Sequence, residues 1–171
     1  PYAIFHPVVK AEPITKTPQR EKALTNALKS TVENLLMAGK NVIILYPVPE
    51  VGWLVLDRLA RFSQSTADIP EHISTSHAVF KQRNAGVYKQ LDSLGNHPSL
   101  YRLYPEKAFC DIDLASRCVA SSGHQAFYFD DDHLNLEGSK KLSRYLLNTD
   151  VLRGLLQQKT VEASPNSYLN E

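Results

Sequence analysis

A chain of 171 residues with 43% apolar content is long enough for one domain with a real core. Its 19 Lys and Arg against 18 Asp and Glu leave a net charge of +1, without the basic stripe that binding a phosphate backbone requires, so no nucleic acid partner is expected. The longest apolar run, NVIILYPV, falls far short of the roughly 20 residues needed to cross a bilayer, and no signal-peptide pattern precedes it.

Residues 1–18 read as an extended, proline-punctuated segment that opens on Pro1, and we expect the chain to be a piece of something longer. From Gln19 to Met37, Ala23, Leu24, Ala27, Leu28, Val32, Leu35 and Leu36 fall on one helical face, and Gly39 supplies a stop. NVIILYPVP is a short run rich in β-branched residues between Gly39 and two prolines, which predicts a strand buried on both faces. Leu54 to Phe62 predicts a second helix. SQSTADIPEHISTS breaks the pattern, and Ala78 to Leu94 predicts a third helix ending near Gly95. SLYRLYP alternates as a strand does, and QAFYFD predicts a last short strand running into FDDDH. Asn135 is placed to cap a final helix whose buried face is Leu142, Tyr145 and Leu146, and from about Lys159 the sequence is polar. Helix and strand thus alternate over 19–158, followed by a tail over 159–171. This order predicts an α/β fold with a parallel sheet, in which sites gather at the carboxyl ends of strands, where both YPVPE and FDDDH lie.

The acid cluster carries the chemistry. Two residues separate Asp130 from His133, so in a turn before a helix the carboxylate can reach back to one imidazole nitrogen. That fixes the tautomer and leaves the other nitrogen free to take a proton from a hydroxyl nucleophile. Two competing readings use the same residues: aspartates favoured by the dipole of the following helix, and a metal site at Asp131, Asp132 and His133. Adjacent residues seldom converge on one ion, so no metal is expected. Gly138 leaves room for backbone or ligand to come close.

YFDDDHLNLEGSKKL resembles the last block of SGNH hydrolases and acyltransferases, in which Asp-x-x-His-Leu is followed by a glycine in the final helix. With GKNVIILYPVPE and FCDIDLASRC, the stretch from Leu24 to Leu147 is most similar to the SGNH domain fused to membrane acyltransferases that O-acetylate bacterial polysaccharides. The resemblance implies a three-layer α/β/α sandwich of SGNH or flavodoxin-like type, with His133 as general base and Asp130 as its orienting partner. It implies transfer of an acyl group, acetyl in the first instance, through a serine ester to a polysaccharide hydroxyl, with no cofactor. The partners it implies are an acyl donor and a carbohydrate acceptor. The location it implies is the periplasmic face of the bacterial inner membrane, with membrane attachment only through the parent protein. The alternatives are a free-standing SGNH esterase and a non-catalytic carbohydrate-binding or assembly module.

The family's nucleophile lies in a Gly-Asp-Ser block, and this sequence contains none. STSH (Ser74–His77) and SSGH (Ser121–His124) place serines beside histidines, but as polar loops and not as a triad. We therefore expect the first strand block to be missing, the nucleophile to be supplied from elsewhere, and the chain alone to be inactive. An exposed parallel edge then predicts association with the missing N-terminal part or with a second copy.

Cys110 and Cys118 are the only cysteines. In one helix their α-carbons would stand about 12 Å apart, beyond the roughly 7 Å that a disulfide allows, so a bridge requires a loop between them. Two reduced thiols are the other reading; the family resemblance implies the oxidised, extracytoplasmic one. Trp53, after the prolines, is a possible sugar contact or else core packing.

Overall fold

The computed structural model describes residues 18–64 and 71–162. The expected extended segment, except Pro18, and the tail beyond Glu162 lie outside the described residues. Element order is α1 (Pro18–Met37), β1 (Val42–Leu45), α2 (Val55–Gln64), β2 (Ser74–Ser76), α3 (His77–Asp92), β3 (Leu100–Leu103), a 3-10 turn (Pro105–Ala108), β4 (Arg117–Val119), β5 (Ser121–Ser122), β6 (Gln125–Ala126), α4 (Leu136–Leu147) and α5 (Asp150–Glu162).

The helix α1 forms where its periodicity places it and stops where expected. Gly39 takes a left-handed φ of 69°, and the Lys40 amide donates back to the Leu35 carbonyl at 3.0 Å, closing the helix end. Leu28, Val32 and Leu36 pack with Val42, Ile44, Leu100 and Leu94 in a small core between α1 and the sheet. That sheet is parallel, pairing β1 with β3 from Val42↔Leu100 to Leu45↔Leu103. The chain is therefore α/β, as its alternation of elements predicts.

Three expectations need correction. Burial of β1 on both faces fails: Val42 points inward, whereas Ile43 and Leu45 are 40% and 49% exposed. The reason is that, among the described residues, β1 pairs with β3 alone and nothing packs over its second face closely enough to bury these side chains. The last strand is much shorter than QAFYFD. Only Gln125 and Ala126 are strand, and they pair antiparallel with β5 as a hairpin around Gly123, whose φ is 52°. Phe127 and Tyr128 instead bury their rings in the main core, with the Phe127 amide bonded to the Ala120 carbonyl. Finally, the two stretches taken as polar loops contain strands: β2 pairs antiparallel with β4, and Ser121 and Ser122 form β5.

The main core gathers Val55 and Leu59 of α2 with Ile73, Phe109, Cys118, Val119, Ala120, Phe127 and Tyr128. It lies directly beneath the segment that carries Asp130 and His133. A second cluster, of aromatic and acidic side chains, ties α3 to the sheet: the Tyr46 hydroxyl donates to Asp92 at 2.5 Å, and the Tyr88 hydroxyl donates to the buried Glu106 carboxylate. Burial holds both phenols protonated well above their ordinary range, and those hydrogen bonds push the same way.

Candidate active site

The acid cluster is a tight turn held by its own first carboxylate. Asp130 Oδ1 accepts the amides of Asp132 at 3.1 Å and His133 at 2.7 Å, which folds the chain back so that Oδ2 meets His133 Nδ1 at 2.9 Å. A carboxylate can only accept, so Nδ1 carries the proton and, in the neutral ring, Nε2 holds the lone pair. The two backbone amides, ahead of the imidazole, hold the Asp130 carboxyl far below its ordinary range. In return the hydrogen bond to Asp130, then the charges of Asp130 and Asp132, raise the His133 pKa above 6.5. Asp132 Oδ1 also lies 2.8 Å from Nδ1. Asp130 makes the aligned hydrogen bond and Asp132 adds charge.

Neighbouring elements position this turn from both sides. Downstream, Asn135 caps α4 as expected: its Oδ1 accepts the amides of Glu137 and Gly138 at 3.0 Å each, while its Nδ2 donates to the Ala126 carbonyl at 2.9 Å. Gly138 seats α4 on the backbone, since a Cβ there would lie 2.0 Å from the Phe127 carbonyl oxygen. Upstream, the Phe129 amide donates to the His133 carbonyl at 2.8 Å, and Tyr128 bridges to Leu134. The result is a ring 75% exposed on a braced backbone.

The second sheet-end loop comes to the same place. The Val51 amide donates to the Asp131 carbonyl at 2.8 Å, and the buried Tyr128 hydroxyl donates to the Pro49 carbonyl at 2.7 Å. YPVPE and FDDDH are thus laced together, a contact across 79 residues that sequence spacing gives no sign of. Gly52 turns this loop with φ 76°, and Arg83 packs where a side chain on Gly52 would sit. Trp53 follows directly, half-buried against the main core with the Arg58 guanidinium 5.4 Å from its ring centre.

Three of the four serines beside histidines are otherwise engaged. Ser76 Oγ caps α3 by accepting the Val79 amide, Ser74 Oγ accepts from Arg117 Nε at 3.0 Å, and buried Ser121 Oγ accepts the Ile73 amide at 3.0 Å. Among the described residues no serine is hydrogen-bonded to His133. Asp130, Asp132 and His133 bring ligand atoms within 4.8 Å of one another. Since Nδ1 is protonated against Asp130, it is not available to an ion while that pair holds, and exposed acids converge in this way without metals.

Cys110 and Cys118 are joined in a disulfide with α-carbons 3.8 Å apart, facing each other as a bridge while residues 111–116 loop out between them. Beside it is an arrangement that sequence reasoning missed. His77 Nδ1 lies 2.7 Å from Asp111 Oδ2, a second imidazole and carboxylate pair across 34 residues. That hydrogen bond, first among several causes, lowers the Asp111 pKa.

Fold and site together define an α/β domain that presents a carboxylate-braced imidazole at the end of its elements. The chain belongs to the family of SGNH domains fused to AT3 domains, whose model matches residues 5–148. Domains of this family are parts of membrane proteins, although among the described residues no helix is long and apolar enough to cross a membrane. No curated protein and no solved structure matches the chain.

Proposed function

We propose that this chain supplies the Asp–His half of a serine acyl-transfer centre in a cell-envelope O-acyltransferase, moving acetyl to a polysaccharide hydroxyl on the periplasmic side of the membrane. The observation that carries it is the grip of Asp130 on His133 Nδ1 at 2.9 Å, in a ring left exposed on its other side by a rigid turn. In that reading His133 Nε2 takes the proton of a serine hydroxyl as its oxygen attacks the acyl carbon, and returns it to the leaving group of the donor. It then takes the proton of the sugar hydroxyl that attacks the serine ester, and returns it to the serine. Asp130 holds the ring and stabilises the imidazolium at each step.

The serine is supplied by the segment of the parent protein that carries a Gly-Asp-Ser block. This segment adds a strand at the outer edge of β1 and packs over the second face of the sheet, covering Ile43 and Leu45. Supporting this are the absence of Gly-Asp-Ser from the sequence, the unpaired edge of β1 among the described residues, and those two exposed apolar side chains. Trp53, one residue beyond the loop amides that brace the site, is the candidate sugar contact; with Arg58 over one part of its ring, only the remaining edge and face serve.

The test is turnover of a synthetic acetyl ester. The 171-residue chain alone gives no turnover beyond that of His133→Ala. A polypeptide extended to include the Gly-Asp-Ser segment turns the ester over, and His133→Ala abolishes it. Turnover by the isolated chain that disappears in His133→Ala contradicts the supplied serine. An extended polypeptide indifferent to His133→Ala contradicts the base.

A further inference from the structure

The disulfide and the second imidazole occupy one point in the fold. His77, the first residue of α3, stacks its ring on Phe80 with centroids 6.3 Å apart, and its amide donates to the Ser116 carbonyl. Asp111 is fixed in turn: its backbone is left-handed with φ 58°, its Oδ1 accepts the Ser116 amide at 2.6 Å, and its Oδ2 faces His77 Nδ1. A carboxylate on Nδ1 leaves the lone pair of the neutral ring on Nε2. That nitrogen is buried and has no hydrogen-bond partner, an arrangement that costs free energy in a finished interior and asks for an explanation. The ligand atoms of His77, Cys110 and Cys118 all lie within 4.8 Å of one another, and both cysteines are buried.

We propose that His77 Nε2 and the sulfurs of Cys110 and Cys118 form a site for a divalent metal of the zinc class when the disulfide is reduced. Two thiolates and one imidazole are the donor set that such ions prefer, with water completing a tetrahedron. Asp111 is the outer partner that orients the imidazole, as ligating histidines require. The chemistry balances with a dithiol reductant: it gives two electrons and two protons to the Cys110–Cys118 bond and becomes a disulfide itself. The two thiols so formed each release a proton as the cation binds. The two states are mutually exclusive: under oxidising conditions a sulfur–sulfur bond joins Cys110 to Cys118 of β4, and under reducing ones a metal holds both and ties them to His77 at the start of α3. This site is separate from Asp130 and His133 and does not depend on their role.

Cobalt(II) is the probe, added to the full chain after anaerobic reduction with a phosphine. We expect one equivalent to bind with thiolate-to-cobalt charge-transfer bands and tetrahedral d–d bands, and zinc to displace it. The oxidised chain gives no such bands. Asp111→Asn weakens binding by about 10- to 100-fold, and His77→Ala weakens it by more while leaving two titratable thiols. The proposal is overturned by a reduced chain that shows two free thiols and no cobalt–thiolate bands. It is equally overturned if His77→Ala and His77→Gln, both folded by circular dichroism in the oxidised state, bind as tightly as wild type after reduction. A reduced chain that unfolds and holds cobalt no better than His77→Ala also overturns it.

Discussion

Asp130 does two jobs with two oxygens, and they can be separated. Oδ1 builds the turn from two amides, and Oδ2 orients and charges the ring. Asn at position 130 keeps an acceptor for the amides while removing the charge. The sign of the pH dependence follows from the two shifts. Raising the His133 pKa stabilises the fold below about pH 6.5, and this contribution is lost as pH rises through the shifted value. Lowering the Asp130 pKa gives a contribution present above about pH 3.8 and lost as pH falls through the depressed value. The pair therefore stabilises most between those limits, whereas a general base needs the neutral ring and gains as pH climbs beyond them. Ring resonances of His133 followed by NMR should titrate above 6.5 in the wild type. In Asp130→Asn the midpoint should fall markedly, and in Asp132→Asn by less, because Asp130 holds both the hydrogen bond and the larger share of the charge. Equal shifts in the two variants would assign the orienting role to neither.

Among the elements, α4 is the one that decides whether the turn stays in place. Its cap and its contact with the Phe127 carbonyl were both foreshadowed by residue type, Asn before an apolar face and Gly within it, although sequence could not say whether Gly138 made room for a ligand or for backbone. It is backbone. Asn135→Ala should cost about 1 kcal/mol from the lost cap, with the freed Ala126 carbonyl adding to it. Gly138→Ala should cost about 1–3 kcal/mol or more, because the obstacle is main chain that cannot swing aside. Gly86, in the open on α3, offers the contrast: with nothing within 4 Å of a Cβ, Gly86→Ala should stabilise by about 0.5–1 kcal/mol. Urea unfolding of the three variants checks the set. Helix α5 shows the limit of periodicity used without its cap. Val151, Leu152 and Leu155 repeat at helical spacing, and Thr149 Oγ1 accepts the Leu152 amide, but the polar residues around them hide a helix, Asp150–Glu162, that the pattern does not set apart from α4.

Across the whole molecule, what could be read from sequence was local, and what could not was long-range. The Asp130–His133 pair, the Asn135 cap and the Gly39 stop each lie within a few residues, where spacing and side-chain chemistry decide geometry. The His77–Asp111 pair, the Tyr128–Pro49 bond and the pairing of β2 with β4 join residues 34 to 79 apart or strands too short to register as a pattern. Only the family resemblance reached further, and the match over 5–148 bears it out. The disulfide lay between these cases, since spacing set the condition of a loop and the structure meets it. The central proposal is that His133 acts as base in acyl transfer within the larger membrane protein. The most direct measurement is the rate of acetyl transfer to acceptor polysaccharide by that protein, with and without His133→Ala. We expect a loss of at least about 100-fold with the protein still folded; an unchanged rate in His133→Ala would contradict that role.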